Sequence, residues 1–78
     1  MAKVKPFDPK VFVKRFQQAS EETGLNQMEL AKKIGTSQGS ISRFLYGTSI
    51  PRVSILVKMA QALGVSSDWL LGLKNSKR

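Results

Sequence analysis

A chain of 78 residues accommodates one domain, which buries only roughly 60–65% of its unfolded surface and so needs a compact core and short connections. It contains no Cys and no His, excluding disulfides, Cys/His zinc sites, thiol nucleophiles and imidazole bases, and no apolar run exceeds three residues, too short to span a bilayer. Thirteen Lys and Arg against five Asp and Glu give a net charge of +8, an excess that attracts nucleic acid, anionic lipid or acidic partners without distinguishing them.

Residues 1–7 are basic and aperiodic and are expected to form a flexible arm; Met1-Ala2-Lys3-Val4-Lys5 resembles a signal n-region, but no apolar stretch follows it. Asp8-Pro9 then opens a helix, with Asp as N-cap and Pro at the first helical position, where its missing N–H costs nothing. Phe12, Val13, Phe16 and Ala19 fall on one face of that helix, and Gly24 ends it. Asn26-Gln27-Met28-Glu29 starts the second helix as a near capping box. Leu30, Ala31 and Ile34 form its apolar face, and Gly35 stops it after two turns. Ser37 caps a third helix in which Ile41, Phe44 and Leu45 are apolar and Gly47 is the stop. The fourth is expected to start near Pro51-Arg52, with Val53, Leu56, Ala60 and Leu63 on one face, and to end at Gly64. Ser66 caps a last short helix containing Trp69, Leu70 and Leu71, and Lys74 to Arg78 is expected to fray. The expected organisation is thus an all-α, five-helix bundle over residues 8–73, flanked by a basic arm and a basic tail. Leu25 and Val65, each following a Gly stop, are expected to pack back on the preceding helix.

The informative stretch runs from Gln27 to Tyr46. Ala31 is small, as a closely crossing helix requires, and Gly35 can take the positive φ of a tight interhelical turn. With Ile41 and Phe44 directed inward, the outward positions of helix three are Gln38, Gly39, Ser40, Ser42 and Arg43. These are polar, short or forked, and none is acidic. A helix entering the DNA major groove needs that combination, although two solvated helices of an ordinary bundle would also satisfy it.

The run Gln27-Met28-Glu29-Leu30-Ala31-Lys32-Lys33-Ile34-Gly35-Thr36-Ser37-Gln38-Gly39-Ser40-Ile41-Ser42 resembles the helix-turn-helix of the lambda-repressor-like family, which comprises phage repressors, Cro-like proteins and xenobiotic-response-element regulators. The resemblance extends to Pro51, to Ala62-Leu63-Gly64-Val65-Ser66 and to Asp68-Trp69-Leu70-Leu71, is closest to the phage-repressor branch, and spans about residues 10–73. It implies that helix three is a recognition helix. Gln38, Gly39, Ser40, Ser42 and Arg43 would be its base contacts, with Gln38 reading adenine and Arg43 a guanine or a phosphate. Asn26, Gln27, Ser37, Tyr46, Thr48 and Arg52 would meet phosphates, Gln27 also steadying Gln38. It further implies a sequence-specific transcriptional regulator of bacterial or phage origin, a repressor on a double-stranded, inverted-repeat operator in the cytoplasm. A homodimer would form there through the stretch from Trp69 to Leu73, with the Trp69 ring itself expected to anchor the core and Leu73, beyond the Gly72 stop, to be the freer contact. No cofactor or metal is expected. Nor is an effector-binding domain, so no small-molecule inducer is anticipated.

This sequence departs from the family's pattern at three places. Gly39 stands where many relatives carry a base-reading side chain. Ser20 and Leu45 replace an Arg and a Glu that pair between helices one and three, and the two are therefore expected to be neighbours. The loop from Gly47 to Pro51 lacks basic residues. A second reading is an antitoxin that binds a toxin protein and regulates its own operon with the same fold. An enzyme is not expected, because five scattered carboxylates form no paired site.

Overall fold

The computed structural model describes residues 6–78, so the expected arm lies outside the described residues except for Pro6 and Phe7, both exposed. Five helices follow in order: α1 Pro9–Thr23, α2 Gln27–Ile34, α3 Gln38–Tyr46, α4 Val53–Leu63 and α5 Ser67–Leu70. No strand occurs among the described residues. Local chemistry sets most boundaries. Asp8 accepts from the Lys10 N–H, and Asn26 and Glu29 form a complete reciprocal capping box. Ser37 and Ser66 cap α3 and α5 through their hydroxyls. Left-handed Gly24, Gly35, Gly47 and Gly64 end the first four helices.

The core is built on α1. Phe12 and Phe16, one turn apart, are fully buried and stack with ring centroids 5.8 Å apart. Phe16 meets the edge of Phe44 from α3 at 6.5 Å and 70°, a geometry that the ring quadrupoles favour. Ile34, Ile41, Met59 and Leu70 bring α2, α3, α4 and α5 onto the same cluster, each essentially without solvent contact. Leu25 and Val65 pack back as expected.

Three boundaries and faces differ from the sequence expectation. Helix α4 opens at Val53 rather than at Pro51-Arg52, because Arg52 is still extended (φ −66°, ψ 162°). Val53 is consequently 75% exposed, and Met59 fills the core beside Leu56 and Ala60 while Leu63 is only half-buried. Leu71 lies outside α5 as its C-cap residue. The tail, expected to fray, is tied down. The Ser66 N–H donates to the Lys77 carbonyl at 2.8 Å. Arg15 donates to the carbonyls of Trp69 and Lys74, and Lys77 pairs with Glu22. Arg15 and Lys77 also lie over the Trp69 ring, 5.2 and 5.5 Å from its centroid. A residue-by-residue scan for periodicity misses this clasp, because the partners of Arg15 and Glu22 lie 54 to 59 positions away.

The Lys77 ammonium donating to Glu22 holds that carboxyl below the usual carboxylate range. A depressed carboxylate contributes its attachment above its unfolded value and loses it as pH falls through the folded one. Acid titration of Trp69 fluorescence is therefore expected to show a step below the usual carboxylate range as Lys77 leaves the ring. The step should be absent in Glu22→Gln.

Candidate nucleic-acid interface

Helices α2 and α3 meet at a turn that depends on two small residues. The N–H groups of Gly35 and Thr36 both donate to the Ala31 carbonyl, at 2.8 and 2.9 Å, and Gly35 takes φ +90°, open to glycine without strain. Ala31 is buried at the crossing, where a longer side chain would hold α3 away. With Ile41 and Phe44 seated in the core, Gln38, Gly39 and Arg43 are exposed, and Ser40 and Ser42 are half-buried along the outer face. The geometry therefore brings the five expected base-facing positions onto one solvent-facing surface.

The expected phosphate-facing residues divide by what else they do. Asn26 spends its side-chain oxygen on the Glu29 N–H, which leaves the amide NH₂ to donate outward. Ser37 is committed: its hydroxyl accepts from the Ser40 N–H at 3.1 Å and donates to the Ser40 hydroxyl at 2.9 Å. Gln27 is half-buried and makes no hydrogen bond to Gln38 among the described residues, so the expected steadying contact is not formed in the free chain. Tyr46, Thr48 and Arg52 are all exposed. Trp69, on the stretch expected to dimerise, is only 5% exposed and anchors the chain's own core, as expected of the ring itself, because α1 and the tail cover it; it is therefore not a dimer contact, while Leu73 is 62% exposed.

Between α3 and the start of α4 lies a concavity of about 260 Å³ lined by Arg43, Arg52, Ser40, Thr36 and Ser49. Arg52, the N-cap residue of α4, makes no side-chain cap bond; the Ile55 and Leu56 N–H groups donate to its carbonyl, while those of Val53 and Ser54 have no partner among the described residues. Two guanidinium groups beside a positive helix end suit a phosphate. Thr36 and Ser49 were not singled out from the sequence, since loop hydroxyls carry no periodic signal. From Leu30 to Ser67 the chain has five basic residues (Lys32, Lys33, Arg43, Arg52 and Lys58) and no acidic one. Asp8, Glu29 and Asp68 lie in capping turns, Glu22 on Lys77 and Glu21 near the end of α1, all outside that span. Negative charge is thereby kept off the face that α3 and α4 present.

The helix-turn-helix family model matches residues 17–70. The chain belongs to the lambda-repressor-like helix-turn-helix family. Among its relatives, the HTH-type transcriptional regulator for conjugative element R391 of Providencia rettgeri is 39% identical over 61 residues, 78% of this chain and 28% of that protein. The HTH-type transcriptional regulator ImmR of Bacillus subtilis is 30% identical over 59 residues, 76% of this chain and 46% of that protein. This lambda-repressor-like chain thus spans less than half the length of either regulator. The P22 c2 repressor, solved in complex with a synthetic operator, superimposes with a TM-score of 0.77 at 25% identity, over 82% of this chain and 97% of that one.

Ser20 and Leu45, expected to be neighbours, do come together. Both line an open cleft of about 560 Å³ between α1, the start of α2 and the end of α3. Gln17 closes one side by donating to the Leu45 carbonyl at 2.7 Å. Ser20 is buried with its hydroxyl unpaired, and Leu45 is half-buried against the core. Leu45→Glu is expected to destabilise the domain by about 1–3 kcal/mol by forcing a carboxylate against apolar neighbours. Adding Ser20→Arg should recover part of that loss, and denaturant midpoints of the single and double variants measure both effects.

Proposed function

We propose that this chain binds double-stranded DNA sequence-specifically as a transcriptional repressor, with α3 lying in the major groove. The observation that carries the reading is the outer face of α3: polar, forked and free of acids, held rigidly outward by Ile41 and Phe44, with the Arg43–Arg52 concavity beside it. Gln38 supplies a donor and an acceptor side by side, matching N6 and N7 of adenine. Arg43 reaches either a guanine or the phosphate next to it. Ser40 and Ser42 lie against the base edges, while Asn26, Gln27, Tyr46, Thr48 and Arg52 hold the backbone on either side of the groove. Ser37 contributes through the turn it caps.

One recognition helix reads only a few base pairs, so the chain acts as a homodimer on an inverted repeat with half-sites about one helical turn apart. Leu73, exposed beyond α5, is the apolar side chain of the Trp69–Leu73 stretch available for that contact. The protein works where its operator is, on the nucleoid of a bacterium or on a phage genome within it, as a binding protein and not an enzyme. Relatives named as transcriptional regulators and a repressor favour this reading over the antitoxin alternative.

Selection of bound sequences from a random duplex pool tests the proposal, and recovery of an inverted repeat is expected. On the selected site, Gln38→Ala should lose about 1–3 kcal/mol of binding while random DNA is bound as before. Arg52→Ala should weaken both duplexes alike and make the salt dependence shallower by about one phosphate. Equal weakening of both duplexes by Gln38→Ala would remove α3 from the role of reader.

A further inference from the structure

Five of the six glycines have a conformational reason to be glycine: Gly24, Gly35, Gly47, Gly64 and Gly72 all take φ between +68° and +90°. Gly39 does not. It lies in the first turn of α3 with ordinary helical geometry, and a Cβ built on it would find nothing nearer than the Ser37 hydroxyl at 4.0 Å. No helix crosses there, and the residue is exposed. Glycine in a helix is destabilising relative to alanine because it gives up more conformational freedom on folding. The fold therefore bears a cost at Gly39 for which the chain itself offers no return.

The position shows what would use the missing side chain. Gly39 stands between Gln38 and Ser40 on the outer face of α3. The Ser40 and Ile41 N–H groups are taken by the Ser37 hydroxyl and carbonyl. Those of Gln38 and Gly39, at the first two helical positions, have no partner among the described residues. A side chain at residue 39 would stand between its own N–H and anything approaching the helix end.

We propose that Gly39 is a specificity-determining residue that acts by having no side chain: it lets the backbone of α3 approach a base pair closely enough for the Gly39 N–H to donate to an acceptor on the base edge. In the major groove guanine, adenine and thymine present such acceptors, whereas cytosine presents its N4 donor. The contact thus accepts three bases and rejects cytosine at that step. The inference rests on α3 being the recognition helix.

Gly39→Ala separates this role from a structural one, because stability and binding should move in opposite directions. Its melting temperature is expected to rise by about 2–5 °C. Its affinity for the selected operator should fall by about 10-fold while affinity for random duplex is unchanged. Sequences reselected with Gly39→Ala should lose the exclusion of cytosine at one step and keep the remaining preferences. Gln38→Ala, measured alongside, distinguishes the two ways to fail. If Gln38→Ala loses operator affinity and Gly39→Ala does not, the role of Gly39 is overturned and α3 remains the reader. If neither variant changes operator affinity, the assignment of α3 falls and this proposal with it. Equal weakening of operator and random DNA by Gly39→Ala would also overturn it, since a general clash carries no sequence information.

Discussion

The contact of Phe44 with Phe16, with Ile41 fully buried beside it, is the constraint on which the rest of the molecule depends. A nine-residue helix is too short to be stable alone in water. What keeps α3 helical, and at a fixed angle, is the burial of two large side chains one turn apart against an aromatic stack on α1. Every polar residue on the outer face inherits its direction from that seating. The tight turn at Gly35 and the small Ala31 let α2 pack closely against α3.

Charge is distributed around this frame in a way the total of +8 conceals. Most of the acids are used where they help folding. Asp8 and Glu29 cap helices, Asp68 lies in the first turn of α5, and Glu22 anchors the tail through Lys77. Their absence from Leu30 to Ser67 leaves α3 and α4 with basic and neutral polar groups only. Such a surface attracts a polyanion at a distance, and under the proposed function the amide, hydroxyl and guanidinium groups on α3 would add contacts that depend on base identity.

Ser20 and Leu45 place a hydroxyl and an aliphatic side chain in one cleft between α1 and α3. With neither position charged, the cleft holds no buried charge without a partner at this pair, which would be the costlier arrangement. The Ser20 hydroxyl remains unpaired, a smaller residual cost.

Helix existence, order and four of the five starts were legible in the sequence, because Asp8, Asn26, Ser37 and Ser66 cap through local hydrogen bonds and the Gly stops act within one turn. The start of α4 was not, since Arg52 lacks a side-chain cap and nothing local marks where extended backbone gives way to helix. The outward set on α3 was legible as well, since a 3.6-residue period divides inside from outside without knowledge of the neighbours. Tertiary structure decided the remainder. The clasp from Glu22 to Lys77 joins residues far apart in the chain, and the exposure of Val53, the burial of Met59 and the concavity shared by Arg43 and Arg52 depend on how the helices pack rather than on local pattern. Gly39 needed both. The sequence shows a glycine in the third helix, but only the packed structure, by leaving open space around it and ordinary helical backbone beneath it, removes the conformational and steric reasons for its being there.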